Sequence, residues 1–228
     1  MLYSEIPTPN CAAFVESVSK RIGFNEHICL RKIVVDYQII KPDCRSINKW
    51  AGGTTEELMI YPMGAQYCNR DFAFRVSTAV VDLEQTDFTL LPAFTRWISI
   101  LKGHIKLIHE GYGQVSLNPL EAYCFDGGWT TRSIGKCTDF NLMLGKGWNG
   151  YITLTPEHCV CGEAEITGIF AFDGPLMLEL GSPATTRIAL MHRDMVVVNT
   201  QCGNTQCGIT VVDGAHARSV LFKAWESP

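Results

Sequence analysis

Phe72-Ala73-Phe74-Arg75-Val76-Ser77-Thr78-Ala79-Val80 alternates with a period of two. Successive side chains of an extended strand point to opposite faces. Phe72, Phe74, Val76 and Val80 therefore share one face, and Arg75 and Ser77 the other. The same split returns in Asp139-Phe140-Asn141-Leu142-Met143-Leu144. There Asp139 and Asn141 stand opposite Phe140, Leu142 and Leu144. Two readings of the polar faces stand. One is a solvated outer surface, as an antiparallel sheet normally shows. The other places both polar pairs in a pocket inside a barrel. Arg75 would then grip a carboxylate through paired hydrogen bonds, with Asn141 supplying donor and acceptor.

Similar short runs rich in Val, Ile, Phe, Tyr and Thr extend outward in both directions. Candidate strands are Lys32–Ile40, Leu58–Tyr61, Phe72–Val81, Arg96–Leu101, His104–His109, Ala122–Phe125, Thr138–Leu144, Tyr151–Leu154, Ile166–Phe172, Leu176–Leu180, Met195–Val198 and Ser219–Lys223. Turn chemistry separates them at Asn118-Pro119, Asp126-Gly127-Gly128, Asn149-Gly150, Asp173-Gly174-Pro175 and Asp213-Gly214. Many short strands at this spacing predict an all-β antiparallel sandwich or barrel. The one expected helix covers residues 9–23, with Asn10 as cap, an apolar stripe of Phe14, Val15, Val18 and Ile22, and Gly23 at its end. Ile100-Leu101-Lys102-Gly103-His104-Ile105-Lys106-Leu107 echoes Ala171-Phe172-Asp173-Gly174-Pro175-Leu176-Met177-Leu178. Both read as apolar strand, tight glycine turn, apolar strand, as a duplicated sandwich would. The break between the copies is expected near Gly145-Lys146-Gly147. The resulting organisation is an extension over 1–27, a first half over 28–147 and a second over 148–228.

The 228 residues include 46% hydrophobic ones, enough for a substantial core, and carry a formal charge of −4. A slightly acidic chain without a basic stripe is a poor partner for a phosphate backbone, so no nucleic acid is expected. Met1-Leu2-Tyr3-Ser4-Glu5-Ile6-Pro7 has neither the basic nor the apolar region of a signal peptide. No stretch approaches the ~18 apolar residues of a membrane helix. The expected location is the cytoplasm, with no membrane partner. In that setting the ten cysteines do not imply a disulfide framework.

Asn48-Lys49-Trp50-Ala51-Gly52-Gly53-Thr54-Thr55-Glu56-Glu57-Leu58 is the segment richest in chemistry. Paired glycines let a backbone approach a ligand, threonines offer hydroxyls, and Trp50 offers a flat wall. The bland alternative is a glycine turn entering a strand. Neither a phosphate-binding P-loop nor a dinucleotide fingerprint is present. Adjacent Glu56 and Glu57 should diverge, one inward and one outward, rather than act as an acid/base couple. Arg96 is a second cation that a carboxylate could use, or a surface residue packing its stem on Trp97. His104 and His109 are five apart and point to opposite faces of a strand, and no His-x-His occurs, so no metal is expected. Cys159-Val160-Cys161 and Cys202-Gly203-Asn204-Thr205-Gln206-Cys207, read as loops, could offer four thiolates. Their spacing is not that of a zinc ribbon. No nucleophile motif stands out.

Taken in order, these blocks resemble the HutD/Ves family. The match runs through Trp50–Leu58 with Ile60-Tyr61-Pro62, Asp71–Ala79, Leu91-Pro92-Ala93-Phe94-Thr95-Arg96 into Leu101-Lys102-Gly103, Phe125-Asp126-Gly127-Gly128, and Asp139–Met143. The family usually has Gly where Ala93 stands and often Trp where Phe74 stands. Its frequent Arg after the Asp-Phe-Asn block is absent, since Leu144-Gly145 follows Met143. The resemblance implies a double-stranded β-helix of the cupin, jelly-roll-like type, in two copies (a bicupin). It further implies a metal-free binder of a small polar or carboxylate metabolite, without cofactor, in a regulatory or sensing role. Some relatives are associated with histidine utilisation, which makes a histidine-degradation intermediate a candidate ligand. The implied pocket lies in the first half, lined by Trp50, Gly52, Gly53, Thr54, Arg75, Ser77, Arg96, Asp139 and Asn141. The rival is a metal-independent isomerase or lyase on a small polar substrate, with His104 or His109 as the titrating group. A structural or protein-partner module is the third reading. Cupins often pair by strand exchange, so a homodimer is an open option.

Overall fold

The computed structural model describes residues 36–162, 165–181, 184–199, 207–214 and 218–227. The helix expected over 9–23 lies outside them. Among the described residues the regular structure is β-strand, with two short 3-10 turns at Pro42–Cys44 and Tyr67–Asn69. The strands run β1 (Tyr37–Ile40), β2 (Ser46–Trp50), β3 (Gly53–Tyr61), β4 (Phe74–Val81), β5 (Gln85–Asp87), β6 (Thr95–Gly103), β7 (Ile105–His109), β8 (Gly113–Leu117), β9 (Ala122–Asp126), β10 (Thr131–Ile134) and β11 (Cys137–Leu144). They continue as β12 (Trp148–Leu154), β13 (His158–Cys161), β14 (Glu165–Asp173), β15 (Leu176–Gly181), β16 (Ala184–Leu190), β17 (Met195–Asn199), β18 (Cys207–Asp213) and β19 (Arg218–Glu226).

These form four antiparallel sheets. A six-stranded sheet has the order β2-β3-β4-β11-β6-β9, and a four-stranded one β5-β10-β7-β8. A five-stranded sheet has the order β1-β17-β14-β19-β12, and a second four-stranded one β13-β18-β15-β16. Three apolar clusters separate them. Val81, Ile98, Ile100, Ile105, Leu107 and Phe125 lie between the first pair. Leu178, Leu180, Ile209, Val196 and Leu221 lie between the second pair. Phe74, Phe140, Leu142, Phe170 and Phe222 lie between the six- and five-stranded sheets, back to back. Burying each such side chain stabilises by about 1.5–3 kcal/mol.

This layering decides between the two readings of the alternating strands. The large six-stranded sheet is covered on both sides, so neither face of β4 or β11 is a solvated surface. Phe74 and Val76 enter the central core, while Arg75 and Ser77, also buried, face into the first sandwich. The internal echo marks equivalent corners. Gly103 (φ +80°) carries the chain from β6 in the six-stranded sheet to β7 in its small partner. Gly174 (φ +86°) does the same between β14 and β15. A Cβ at Gly103 would lie 2.4 Å from the Lys136 carbonyl oxygen, so the corner needs glycine twice over. Strands that meet at these turns therefore change sheets rather than pairing with each other.

β1, grouped by sequence with the first half, pairs with β17 in the five-stranded sheet. Charged groups near this crossing tie the two sheet pairs together. Glu56 accepts from Arg45 (3.3 Å) and from Arg193, and Lys41 binds Asp194 at 2.5 Å. Glu56 and the Arg45 side chain are buried, at 6% and 1% exposure, while Arg193 and Lys41 reach the network from the solvent side.

Candidate functional site

β4, β11 and β6 lie side by side, and their register arranges the polar face in rows. Met143 pairs with Arg75 on one side and Arg96 on the other. One step along the same face, Asn141 stands between Ser77 and Ile98, and beyond it Asp139 pairs with Ala79. Neighbouring strands are about 4.8 Å apart, so the two arginines flank a gap one strand wide. Above them is a cavity of about 220 Å³. Trp50, Arg75, Ser77, Arg96, Asp139 and Asn141 line it, joined by Asn48, Thr55, Tyr67, Asp87, Phe88, Thr89 and Met143. Six of the nine residues singled out from sequence thus meet at one place.

Gly52, Gly53 and Thr54 are not on that wall. A Cβ at Gly52 would come within 1.9 Å of the Trp50 ring, and one at Gly53 (φ +153°) within 1.9 Å of the Val80 carbonyl oxygen. The glycines make room for the Trp50 side chain and for the β4 backbone, not for a ligand. Thr54 faces a second space of about 350 Å³ with Ile47, Glu56, Thr78 and Arg193.

The two arginines are held differently. Arg75 donates from Nε to Glu57 Oε2 (2.7 Å) and from a terminal nitrogen to Ser77 Oγ (3.2 Å), and its guanidinium stacks on Tyr67. Glu56 and Glu57 do diverge, the first toward Arg45 and Arg193, the second toward Arg75. Arg96 lies between the rings of Phe88 (4.8 Å) and Phe125 (5.1 Å). It is 6% exposed, and its Nε has no hydrogen-bond partner. Burial lowers its pKa to about 10, against the pull of Tyr67 and Asp139, so it stays charged at neutral pH. Asp139 is 2% exposed. Burial pushes its carboxyl up to about 7, although Arg96, the Ala79 amide and Asn141 all favour the anion. Asn141 donates to Asp139 Oδ1 (2.6 Å).

Three buried polar atoms among these residues have no partner: Trp50 Nε1, Arg96 Nε and Asn141 Oδ1. An unmatched buried polar group destabilises by about 1–3 kcal/mol, and a native structure carries few of them. Two donors and one acceptor on the lining residues of one cavity describe a site built for something polar. Phe88 and Thr89 lie beyond β5 in an irregular segment, where no periodicity could announce them.

The histidines separate as their spacing requires. His104 is exposed. His109 is buried with Tyr123, Phe125 and Trp129 around its ring, and Nδ1 is 2.8 Å from Thr131 Oγ1. Burial and the charge of Arg96 lower its pKa. It does not line the cavity. Among the described residues no cluster of His, Cys, Asp and Glu is arranged to hold a metal ion. No helix among them is long and apolar enough to cross a membrane.

Stacked antiparallel sheets with a polar cavity inside the first pair define a cupin-type all-β protein. The HutD family model matches residues 43–213, and the chain belongs to the HutD family. Similar solved structures include HutD from Pseudomonas fluorescens SBW25, crystallised in a formate condition, at 19% identity and a TM-score of 0.67. It covers 85% of this chain and 100% of its own. A conserved protein of unknown function from Pseudomonas aeruginosa PAO1 gives 20% identity, a TM-score of 0.69, and 84% and 100% coverage. A vicilin from Solanum melongena, described with different anionic ligands in structurally similar pockets, gives 11%, 0.52, and 81% and 84%. At these identities the likeness is one of fold. No curated protein matches the chain.

Proposed function

We propose that the cavity between the six-stranded sheet and its four-stranded partner binds a small carboxylate metabolite without metal or cofactor, in a regulatory or sensing role. The observation that carries this reading is Arg96, a buried guanidinium with an unpartnered Nε, opposite a second buried arginine across the cavity. A desolvated guanidinium recovers most by meeting a carboxylate, with which it forms paired, charge-assisted hydrogen bonds. Pockets for drug-sized ligands span about 300–1,000 Å³. At about 220 Å³ this one suits a smaller metabolite. Trp50 Nε1 and Asn141 Oδ1 supply a further donor and an acceptor. Family membership makes intermediates of histidine degradation the first compounds to try, and the anionic ligands of the vicilin pockets accord with that choice.

One observation favours a second reading, a metal-independent isomerase or lyase. Asp139, at the cavity, has a carboxyl near pH 7, where a general acid or base works best. His104 and His109 do not serve that reading, since neither lines the cavity.

Isothermal titration and thermal unfolding with urocanate, formiminoglutamate, formylglutamate, histidine and glutamate test both readings. A ligand at ~100 times its Kd raises stability by about 2.7 kcal/mol. The binding reading expects one carboxylate to do so, and Arg96→Met and Arg75→Ala to lose the effect. Unchanged affinity in Arg75→Ala, Arg96→Met and Asn141→Ala would remove this cavity from consideration. Turnover of a bound compound, lost in Asp139→Asn with binding retained, would install the enzyme reading instead.

A further inference from the structure

Three thiols lie together in the second sandwich, away from the cavity. Sequence spacing had placed Cys159 and Cys161 in a loop, but they lie on β13, a four-residue edge strand bonded to β18 alone. Cys207, at the start of β18, is the direct register partner of Cys161. Both thiols are buried, at 0% and 4% exposure, among residues of the second sandwich core. Cys207 and Thr167 are the polar neighbours of the Cys161 thiol. Cys207 in turn donates to the Gly208 carbonyl (3.4 Å). Cys159, two residues from Cys161 on the same side of β13, is half-buried and packs against this cluster.

We propose that Cys161 and Cys207 form an oxidation site, which peroxide closes to a disulfide that staples edge strand β13 to β18. Directly opposed residues of an antiparallel pair have Cα atoms about 4.5–5.5 Å apart, inside the ~4.4–6.8 Å range that a disulfide spans. The two residues face each other directly across the β13–β18 ladder, so closure needs side-chain rotation rather than movement of the sheet. The reaction takes two steps. The Cys207 thiolate attacks one oxygen of hydrogen peroxide; the O–O bond breaks, leaving a sulfenic acid and, after protonation, water. The Cys161 sulfur then attacks that sulfenic sulfur; the S–S bond forms, the S–O bond breaks, and a second water leaves with the Cys161 proton. Two thiols give two electrons to one peroxide, and the balance closes.

The neighbouring Cys161 thiol holds the Cys207 thiol below its ordinary range, which fits it for the attacking role, while Cys207 and then burial lift Cys161 above it. Peroxide reaches the pair when β13 opens locally. That strand is short, lies at an edge and exposes His158 and Val160, the features of a low-stability element. Exposed Cys44 and Cys68 contact Asp43, Gln66 and Asn69 instead of a second thiol, and Cys124 pairs with Trp97. They are expected to stop at sulfenic or more oxidised forms.

The test is peptide mapping of the full-length protein after hydrogen peroxide treatment, digested with trypsin without reductant. Cleavage after Lys146, Arg187, Arg193 and Arg218 places Cys161 in Gly147–Arg187 and Cys207 in Asp194–Arg218. The expected product is these two peptides joined, two hydrogens lighter than their sum and separated by dithiothreitol. Cys159 and Cys202 share those peptides, so Cys159→Ser and Cys202→Ser must keep the link, while Cys161→Ser and Cys207→Ser must lose it. If Cys161→Ser does not fold, Cys161→Val takes its place. Oxidised wild type should also melt at higher temperature than reduced, with no such gain in Cys207→Ser. Oxidation confined to Cys44, Cys68 and Cys124, or a link that survives loss of Cys161 and disappears with Cys159, overturns the proposal.

Discussion

Replacing Asp139 by Asn tests the electrostatics of the cavity without removing a side chain. The carboxyl has a pKa of about 7 in the folded chain against 3.8 for an unperturbed one. At ~1.4 kcal/mol per pH unit, that difference amounts to about 4 kcal/mol. The sign follows from proton counts. Below pH 3.8 folded and unfolded chains both hold the proton, and stability is full. Between 3.8 and about 7 the unfolded chain has lost it and the folded chain has not, so stability falls as pH rises. Above about 7 both are ionised and the loss is complete. Asn cannot titrate, keeps an oxygen for the Ala79 amide, and shares every other ionisable group with wild type. Urea denaturation at pH 5, 6, 7 and 8 then isolates the Asp139 contribution. The stability of Asp139→Asn relative to wild type should grow by roughly 2 kcal/mol between pH 5 and 7, and little beyond. A constant offset superposed on that pH-dependent change would reflect packing alone and leave the reasoning intact. A difference that does not change with pH, or that shrinks as pH rises, would refute it, because Asp139 would then be an ordinary ionised carboxylate.

Three further substitutions follow from the geometry. Gly52→Ala drives a methyl into the Trp50 ring, and is expected to lower stability by about 1–3 kcal/mol and to weaken any carboxylate bound in the cavity, both read by calorimetry. Glu56→Gln leaves buried Arg45 and half-exposed Arg193 facing each other at the crossing between the sheet pairs, with a loss of about 1–3 kcal/mol in denaturant unfolding, solvent screening at Arg193 reducing the cost of a fully buried pair. Ala93 has φ +68°, left-handed backbone that disfavours an L side chain, so Ala93→Gly should stabilise by up to ~1 kcal/mol; a loss would show that its methyl is packed.

Much of the fold was legible because its inner strands are apolar on at least one face. Each candidate strand from Leu58–Tyr61 onward overlaps an observed one. The inner strands β10 and β18 and the edge strand β16 also went unread, and the other unread strands are of another kind. β2 is mostly exposed, β5 is Gln-Thr-Asp, and β13 and β8 lie at sheet edges with little apolar alternation to announce them. Backbone pairing to a neighbour makes these strands, and a neighbour is not a local property of the sequence. The site divides the same way. Alternation grouped Arg75 with Ser77 and Asp139 with Asn141, but could not say whether that face met water or a second sheet. The four-stranded partner that settles it begins at β5, itself unread. The paired glycines drew attention for a sound reason, close approach, and misdirected it, because what approaches is the Trp50 ring and the β4 backbone. Ala93 was legible only by resemblance: the family's usual Gly marks a left-handed position that no periodicity reveals.

The charge state of the cavity narrows what it can take. Arg75 is already matched by Glu57, whereas Arg96 has only Asp139 nearby, and burial opposes ionising that carboxyl. With Asp139 protonated, the two arginines and Glu57 leave one positive charge uncompensated in a space sealed by Phe88 and Phe125 around Arg96. One ligand carboxylate neutralises it. A second carboxylate on the same ligand would face Asp139 or Glu57, and would be tolerated only where it reaches the mouth of the cavity and water. The same logic gives binding a pH dependence. An anion beside Arg96 competes with ionised Asp139, so affinity should fall as pH rises through about 7 in wild type and stay level in Asp139→Asn. Stability and binding would then change over one pH range for one cause. If affinity fell equally in both proteins, the titrating group would belong to the ligand rather than to the site.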